Sequence, residues 1–400
     1  VQPYPGYSRN REFECNGGGI CDNEMETLIL ALASHSKLGK VDFGGNKLGE
    51  RGVAALASLL TNPNCSVQEL YLPLCSLTDE AAVTFADTLG ICRNSKLKKL
   101  NLSSNRDIAA IGWSAIFTQL QSPRSSLKNL ILPGNIIDDA AANSLGNALS
   151  NNASMKTLNV SQMSSISSVG WRSIFDALQS PGCKLQELDL HNNSIEDAAA
   201  NSLGNALSNS NNASMKTLDL SEMAWRITTE GWRLIFNALQ SPGCKLQELH
   251  LPDSGLCDDD VTYLTSSLSS NCALRHLTLD DNTDVTSSAW GAFATVFQNP
   301  LSALEKVTLE GNSIDDGALV SFANSLTYNS KLKELFIDAG NGDDYEEEEE
   351  GNVITRWDAL SNALCNVSSI NETYASNHTL QRVFYPDKDE AMNLNCLLIS

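Results

Sequence analysis

The sequence predicts an α/β solenoid of about 11–12 repeats, curved like a horseshoe, with a parallel β-sheet on its concave face and α-helices on its convex face. Two observations predict this fold. A nine-residue frame with apolar residues at positions 1, 4 and 6 recurs along the chain, and successive frames mostly open 28 to 31 residues apart. That interval leaves room for one strand and one helix in each repeat. The frames open at Leu38, Val67, Leu97, Leu127, Met155, Leu185, Met215, Leu246, Leu274, Leu304, Leu332 and Leu380.

The frame is clearest from Cys183 to Asn193, which reads Cys-Lys-Leu-Gln-Glu-Leu-Asp-Leu-His-Asn-Asn. Its pattern, L-x-x-L-x-L-x-x-N, is the strand signature of a leucine-rich repeat. Successive side chains of a strand point to opposite faces, so the leucines at positions 4 and 6 face the core and positions 3, 5 and 7 face solvent. Because one repeat cannot bury its own apolar face, neighbouring repeats must stack.

Two kinds of helix are predicted to alternate between the strands. One kind begins with Gly-Trp and places Trp171, Ile174, Phe175 and Leu178 on a single apolar face. The other kind, as from Asp197, reads Asp-Ala-Ala-Ala-Asn-Ser-Leu-Gly-Asn-Ala-Leu and carries small residues instead. A bulky helix beside a small one favours interdigitated packing. The tryptophans of the first kind are therefore predicted to be core residues: Trp113, Trp171 and Trp232.

The chain is predicted to form one solenoid over residues 23–400, preceded at 1–22 by a flexible lead or an irregular cap that is rich in glycine and proline. The frames that open at Leu332 and Leu380 are 48 residues apart, and the excess contains a nearly unbroken acidic run. We expect an acidic loop insertion at 340–352, which is either an arm that extends a binding surface or a tolerated insertion. Residues 386–400 are expected to cap the final core.

The charge of the chain is strongly negative. The sequence has 48 acidic and 27 basic residues, which gives a formal net charge of −21. This balance favours a basic protein or peptide as partner, and it disfavours nucleic acid and anionic membranes. The alternative is that the acidity only keeps a large surface soluble. No apolar run approaches 18 residues, so no membrane-spanning helix is expected. We also expect the protein to be a monomer.

The 11 cysteines are spread along the chain, and several of them precede a frame by two residues. This recurrence indicates a packing role, in which the thiol acts as a small apolar group. Reduced cysteines are typical of the cytoplasm, which is the predicted location. Sequons such as Asn212-Ala213-Ser214 leave secretion open as the alternative.

These motifs resemble the ribonuclease-inhibitor type of leucine-rich-repeat protein. The resemblance rests on the Cys-Lys-Leu-Gln-Glu-Leu frame, on the Ser-Pro-Gly-Cys turn before it and on the alternation of two unit types, and it covers the chain from Glu24 onward. The class includes ribonuclease inhibitor, the repeat domains of NOD-like receptors and the Ran GTPase-activating protein. The resemblance implies the fold, whereas the members differ in their partners. Ribonuclease inhibitor is far richer in cysteine, so its particular activity is not implied.

A partner-binding surface is predicted on the concave face, where acidic residues accumulate from the middle of the chain onward. Adjacent strands lie about 4.8 Å apart, so we expect equivalent side chains to form columns of like charge. Such columns destabilise a sheet and therefore indicate a use, although an ordinary solvated surface is the alternative. Tyr71, Trp225 and Phe336 are predicted to be aromatic anchors. The predicted acidic residues are Glu187, Asp189, Asp219, Glu222, Glu248, Asp253, Asp280, Asp281, Glu310, Glu334 and Asp338.

The sequence lacks the motifs of metalloproteases, serine hydrolases, dithiol oxidoreductases and dinucleotide-binding enzymes. We therefore predict a non-enzymatic interaction scaffold, with no catalytic residue and no cofactor. One alternative is a regulator of a small GTPase that resembles the Ran-directed family, in which Arg106 or Arg226 would act in trans. Another is the sensor domain of a larger receptor. His191, His250 and His276 share the predicted surface with carboxylates that suit Zn²⁺ or Mn²⁺, but without a paired short-spacing motif we predict no metal.

Overall fold

The computed structural model describes residues 11–35, 37–91, 96–122, 125–212, 214–223, 226–270, 273–327, 329–337, 379–380 and 382–384. The chain forms two compact units, Val1–Ala206 and Leu207–Ser400. In both units short strands alternate with helices, because every repeat supplies one strand frame and one helical stretch. Among the residues described, no helix combines the length and the apolar character required to cross a lipid bilayer.

The described part of the first unit contains seven strands, and each of the first six pairs in parallel with the next one along the chain. The strands are β1 (Glu12–Glu14), β2 (Lys40–Asp42), β3 (Glu69–Tyr71), β4 (Lys99–Asn101), β5 (Asn129–Ile131), β6 (Thr157–Asn159) and β7 (Glu187–Asp189). The helices are α1 (Asp22–Leu32), α2 (Glu50–Thr61), α3 (Asp79–Ile91), α4 (Ala110–Leu120), α5 (Asp139–Asn151), α6 (Ser168–Leu178) and α7 (Asp197–Ser208), and α7 ends two residues past the limit of the unit.

The second unit repeats this arrangement, again with parallel pairing of successive strands. Its described strands are β8 (Thr217–Asp219), β9 (Glu248–His250), β10 (His276–Thr278), β11 (Lys306–Leu309), β12 (Glu334–Ile337) and β13 (Arg382–Phe384). Its described helices are α8 (Thr229–Leu239), α9 (Asp258–Leu268), α10 (Ser287–Phe293) and α11 (Asp316–Leu326), with 3₁₀ turns at Ser210–Asn212 and Ala294–Gln298.

The leucines of the frame form the core of each unit. In the β4 repeat, Leu100 and Leu102 are fully buried, whereas Lys99 on the same strand is partly exposed. The register keeps equivalent residues together, since Leu100 lies opposite Leu130 of β5. Both units therefore have the α/β leucine-rich-repeat architecture, and the predicted fold class is confirmed.

The asparagine at position 9 of the frame joins neighbouring loops. The side-chain amide of Asn105 donates to the carbonyl oxygens of Leu102 and Leu72, at 2.9 and 2.8 Å. Its Oδ1 accepts a hydrogen bond from the backbone N–H of Cys75 at 3.0 Å. Buried backbone groups need partners, and an amide both donates and accepts, which explains the choice of asparagine at this position.

The Gly-Trp helices contribute the bulkiest core residues, as predicted. Trp113, Trp171 and Trp232 are fully buried. Each indole stacks on a phenylalanine four residues later, and the ring centroids of Trp171 and Phe175 are 5.8 Å apart with an interplanar angle of 15°. Residues four apart share one helix face, so the two rings enter the core together. The intervening helices pack small buried residues such as Ala142 in the same layer.

A carboxylate at the start of one helix also caps the start of the following helix. Asp139, the first residue of α5, accepts hydrogen bonds from the backbone N–H and the hydroxyl of Ser167, at 2.8 and 2.6 Å. Ser167 is the N-cap residue of α6. Asp22 of α1 accepts from the N–H of Gly52 in α2 at 2.7 Å. The free N–H groups of a helix N-terminus need acceptors and favour negative charge, so part of the acidity of the chain is structural.

The stretch at 1–22 contains a strand, β1, that the repeat frame does not predict. In β1, Phe13 lies opposite Val41 of β2, and its ring centroid is 6.0 Å from that of Phe43. The acidic loop insertion predicted at 340–352 and the cap predicted at 386–400 lie outside the described residues. That residues 23–400 form one solenoid stays a prediction.

Candidate functional site

The predicted binding surface consists of the residues at frame positions 3, 5, 7 and 8, which we call the strand face. Along a strand, the residue at position 4 is buried and its neighbours at positions 3 and 5 are mostly half-buried. The described strand-face residues of the second unit are Thr217, Asp219, Ser221, Glu222, Glu248, His250, Pro252, Asp253, His276, Thr278, Asp280, Asp281, Lys306, Thr308, Glu310, Gly311, Glu334 and Phe336.

At positions 3 and 5 of the second unit the predicted columns of like charge do not form. Glu248 at position 3 lies between Thr217 and His276 in the sheet. Asp219 at position 5 lies opposite His250. The expectation is wrong at these positions, because the residue type changes from repeat to repeat and neutral or basic side chains separate the carboxylates.

Acidic side chains of the second unit accumulate instead just beyond the carboxyl ends of the strands. Asp253 follows β9, and Asp280 and Asp281 follow β10, at positions 7 and 8 of their frames. The backbone N–H of Asp253 donates to the carbonyl oxygen of Asp280 at 2.9 Å, so the two loops are directly joined. Asp253 and Asp281 are exposed, and both have left-handed backbones with φ of 45° and 57°. We call these three residues the acidic group.

The surroundings of Asp280, in the acidic group, disfavour the charged form of its carboxyl. Burial raises the pKa of the Asp280 carboxyl, and the neighbouring Asp281 carboxylate acts in the same direction. The hydroxyl of Thr308 and the backbone N–H of Glu310 each donate to Asp280 at 2.8 Å and partly offset this rise. A cation placed beside the group would relieve the crowding of negative charge.

Two further predicted acidic residues lie on the loops on either side of the acidic group. The backbone N–H of Glu222 donates to the carbonyl oxygen of Pro252, and that of Asp281 donates to the carbonyl oxygen of Glu310, at 2.9 and 2.8 Å. Acidic residues thus follow four successive strands, β8 to β11. Glu334 lies farther along, and its carboxylate is 3.9 Å from the amine of Lys306.

The two predicted acidic residues of the first unit are held by neighbouring side chains. Glu187 accepts a hydrogen bond from the hydroxyl of Thr157 at 3.0 Å. Asp189 accepts from the side-chain amide of Asn159 at 2.5 Å and from the backbone N–H of His191 at 3.0 Å. Glu187 remains exposed, so it is available to a ligand of this unit.

The described aromatic candidates each lie beside lysine. The ring of Tyr71 has the amines of Lys40 and Lys99 at 5.3 and 5.2 Å from its centroid. The ring of Phe336 has the amine of Lys306 at 5.1 Å. These cation–π contacts orient half-exposed rings on the strand face. The other two predicted site residues, Trp225 and Asp338, lie outside the described residues.

The histidines of the second unit take part in local contacts. Nδ1 of His250 lies 3.0 Å from the hydroxyl of Thr278, and Nδ1 of His276 lies 3.3 Å from the Glu248 carboxylate. Within the part of the chain that the structure describes, no three His, Cys, Asp or Glu side chains come close enough to hold a metal ion.

Sequence reasoning missed one unusual surface residue of the first unit, Leu74. It occupies position 8 of its frame, is 62% exposed and has a left-handed backbone with φ of 56°. The signal was available, because the other described repeats carry glycine or a polar residue at this position.

Two segments match models of the leucine-rich-repeat family. Residues 93–117 match a model described as Leucine Rich repeat, and residues 184–206 match one described as Leucine Rich Repeat. The parallel strands and the buried frame leucines agree with these matches. This chain is a leucine-rich-repeat protein.

This leucine-rich-repeat protein is similar to NACHT, LRR and PYD domains-containing protein 3 of Macaca mulatta, at 29% identity over 64% of the chain and 24% of the relative. Similarity to NACHT, LRR and PYD domains-containing protein 12 of Homo sapiens reaches 28% identity over 80% of the chain and 29% of the relative. A chain in the crystal structure of the Rad7 and Elc1 complex in yeast has a TM-score of 0.43 and 18% identity, over 81% of this chain and 85% of that one.

The leucine-rich-repeat protein spans about a quarter of the length of these curated relatives. The motifs and the similarity agree on repeats of the ribonuclease-inhibitor type. Such repeats form a protein-interaction or sensor domain.

Proposed function

We propose that this leucine-rich-repeat protein is a non-enzymatic scaffold whose strand face binds a basic protein or peptide. The acidic group of Asp253, Asp280 and Asp281 carries the proposal. Its carboxylates lie on adjacent loops, and among the described residues none of the three forms an ion pair. A lysine or arginine from a partner would supply the missing positive charge and form charge-assisted hydrogen bonds.

Basic side chains of the neighbouring repeats contact other groups, and the charge of Lys306 in addition lowers the pKa of Asp280. The amine of Lys306 lies over the ring of Phe336 and near Glu334. Arg275 and Lys333 both pair with Glu305, on the side of the sheet where the strands begin. Asp253 and Asp281 are thus exposed carboxylates that form no ion pair among the described residues, which supports a basic ligand.

The test is the affinity of a fluorescent peptide of alternating lysine and serine for the intact chain, measured by anisotropy. We expect the double variant Asp253→Asn/Asp281→Asn to bind about tenfold more weakly, and the wild-type affinity to fall as salt rises. The double variant Asp87→Asn/Asp176→Asn is the matched control, because it removes two exposed carboxylates from helices and leaves the strand face intact. Equal weakening in the control, or no binding by the wild type, would contradict the proposal.

A second candidate is the sensor domain of a larger receptor. It is supported by the length of the matched relatives, of which this chain spans 24% and 29%. An immunoblot of the source cells with antibodies against the strand face separates the two candidates. A scaffold of this chain alone would have a mass near 43.2 kDa, whereas a receptor would be substantially larger.

We also propose a cytoplasmic location. Seven described cysteines are free, and burial raises the pKa of the Cys183 and Cys244 thiols, which are packed as small apolar groups. Asn212, which opens one of the sequons, is only 3% exposed and is therefore a poor acceptor for a glycan. Fluorescence microscopy of the tagged chain in its source cells tests this location.

A further inference from the structure

Four exposed aliphatic side chains occupy one edge of the first unit, one in each of four consecutive repeats. The exposed fractions are 62% for Leu74, 71% for Ile111, 48% for Ile136 and 65% for Val169. Leu74 and Ile136 lie in the loops that follow β3 and β5, and Ile111 and Val169 lie in the first turns of α4 and α6. All four are at the edge where strands end and helices begin, and we call them the exit-edge row. The described residues include eight exposed large apolar side chains, and this row contains half of them.

The conformation of Leu74 is not explained by folding. Its backbone is left-handed, with φ of 56°, a region that costs an ordinary side chain about 1 kcal/mol or more. Burial does not offset that cost, because most of the side chain is exposed. Other repeats have glycine or a polar residue at this frame position: Gly45, Ser104, Gly134, Gln162, Asn192, Glu222, Asp253, Asp281 and Gly311.

The other members of the row are also apolar where related repeats are polar. Ile111 and Val169 each precede the glycine of a Gly-Trp helix, and the residue before the corresponding Gly231 is the exposed Glu230. Ile136 occupies frame position 10, where the preceding repeat has the exposed Arg106. In the related repeats, therefore, the same loops and helix first turns form with polar residues at these positions. Since folding does not require the aliphatic residues of the row, they point to a contact outside the unit.

The surroundings of the row indicate the chemistry of that contact. Glu80, Asp107 and Asp138 are exposed in the same repeats, and in the described structure none of them forms an ion pair. A cavity of about 430 Å³ beside the row is lined by Leu74, Ser76, Ser104, Arg106 and Asp107. The Nε of Arg106 donates to the carbonyl oxygen of Gly134 at 3.2 Å, so this basic side chain is held against the loop. The edge thus offers apolar anchor points together with three carboxylates and one arginine, a balance that complements a partner that is apolar and basic.

We propose that the exit-edge row binds an amphipathic helix of a partner protein, with an aliphatic stripe flanked by lysine and arginine. The four residues belong to consecutive repeats whose helices pack about 8–10 Å apart, and we take this spacing as the step between successive members of the row. In a partner helix, residues i and i+7 are about 10.5 Å apart on one face, so its stripe matches that step. Four members of the row are separated by three such steps, which together span about 30 Å. A helix of about 20 residues has this length.

The test uses a synthetic helical peptide of about 20 residues, made of leucine and lysine with an amphipathic pattern, and a scrambled peptide of the same composition. We expect the intact chain to bind the amphipathic peptide at least about tenfold more tightly than the scrambled one, since only the former has a stripe. The variant Leu74→Asn/Ile111→Gln should lose about tenfold in affinity for the amphipathic peptide while keeping the circular dichroism spectrum of the wild type.

Two control variants separate this surface from others. Leu301→Asn removes a 63% exposed leucine before β11 in the second unit, and we expect it to bind the amphipathic peptide like the wild type. Asp253→Asn/Asp281→Asn removes two carboxylates of the acidic group, which also attract lysine, so we expect it to weaken the binding of both peptides alike and to keep the preference of about tenfold for the amphipathic one. The proposed function and this inference can therefore fail separately. The inference is overturned if the scrambled peptide binds equally, or if Leu74→Asn/Ile111→Gln has no effect. Analytical ultracentrifugation tests whether the chain associates with itself. If Leu74→Asn/Ile111→Gln abolishes self-association but leaves peptide binding intact, the row binds a second copy of the chain and the inference is also overturned.

Discussion

Oδ1 of Asp79, in the first turn of α3, accepts a hydrogen bond at 3.1 Å from the backbone N–H of Gly112, in the first turn of α4. The same oxygen accepts from the N–H of Ala109 at 2.8 Å. A β-carbon on Gly112 would lie only 2.7 Å from that oxygen and 2.9 Å from the methyl group of Ala82. The glycine of the Gly-Trp motif thus permits close contact between helices of successive repeats, and the small residues of the other helix type have the same effect.

Replacing Gly112 with alanine is expected to destabilise the protein by about 1–3 kcal/mol, although alanine normally favours a helix. The reason is the clash of the new methyl group with Asp79 and Ala82. Urea unfolding monitored by circular dichroism measures the change. The control is Gly291→Ala in α10, where the nearest atom to a new β-carbon is 3.5 Å away, and we expect this variant to gain up to about 1 kcal/mol. Equal effects of the two substitutions would show that packing between repeats does not determine the choice of glycine.

Asp139→Ala is expected to destabilise the protein by about 1–2 kcal/mol, because the backbone N–H and the hydroxyl of Ser167 lose their acceptor. Asp176→Ala is the comparison, since this exposed carboxylate makes one described side-chain contact, with Gln179 on its own helix. Thermal unfolding of the two variants should show a lower midpoint for Asp139→Ala only. A similar midpoint for both would argue against capping between repeats.

These capping contacts mark the limit of what the sequence predicts. The strands follow directly from the frame, because the alternation of Leu100 and Leu102 with polar residues defines which face is buried. The partnership of Asp79 and Gly112 joins residues 33 positions apart, and it depends on how successive helices pack, which a repeat pattern does not specify. β1 was missed for a related reason, since its outer residues are glutamates and its central Phe13 is only half-buried, against the ring of Phe43.

The candidate site was predictable in composition but not in arrangement. The register places Asp219 opposite His250 and Glu248 opposite His276. The expected columns of like charge at positions 3 and 5 were wrong, because neighbouring repeats supply threonine, histidine or lysine there. The grouping of Asp253 with Asp280 depends on the loop geometry beyond the strands, which the sequence does not reveal.

The pH dependence of stability should report on Asp280. Burial raises the pKa of this carboxyl, so its protonated form is favoured in the folded state, and that contribution is lost as the pH rises through the raised pKa. We therefore expect Asp280→Asn to unfold at a higher temperature than the wild type at pH 7 and at a similar temperature below pH about 3, where both side chains are neutral. A lower midpoint for the variant at pH 7 would mean that the hydrogen bonds from Thr308 and Glu310 dominate.

Leu74→Asn is expected to stabilise the protein by about 0.5–1 kcal/mol, because asparagine tolerates the left-handed backbone that this residue adopts. Little burial is lost, since the leucine is 62% exposed. Urea unfolding measures the change, and Gln162→Asn at the same frame position, where φ is 57°, is the polar comparison. If Leu74→Asn were less stable than the wild type, the leucine would have a role in folding, and its assignment to the exit-edge row would weaken.

The location of a bound basic partner tests the central claim most directly. A lysine–serine peptide that carries a photoreactive cross-linker is bound to the intact chain at low salt, and the complex is irradiated. Mass spectrometry then identifies the residues of the chain to which the peptide has become attached. We expect attachment to the loops that contain Asp253, Asp280 and Asp281, and its loss in the variant Asp253→Asn/Asp281→Asn. Attachment spread over the exposed faces of the helices, or unchanged in that variant, would contradict a binding role for the strand face.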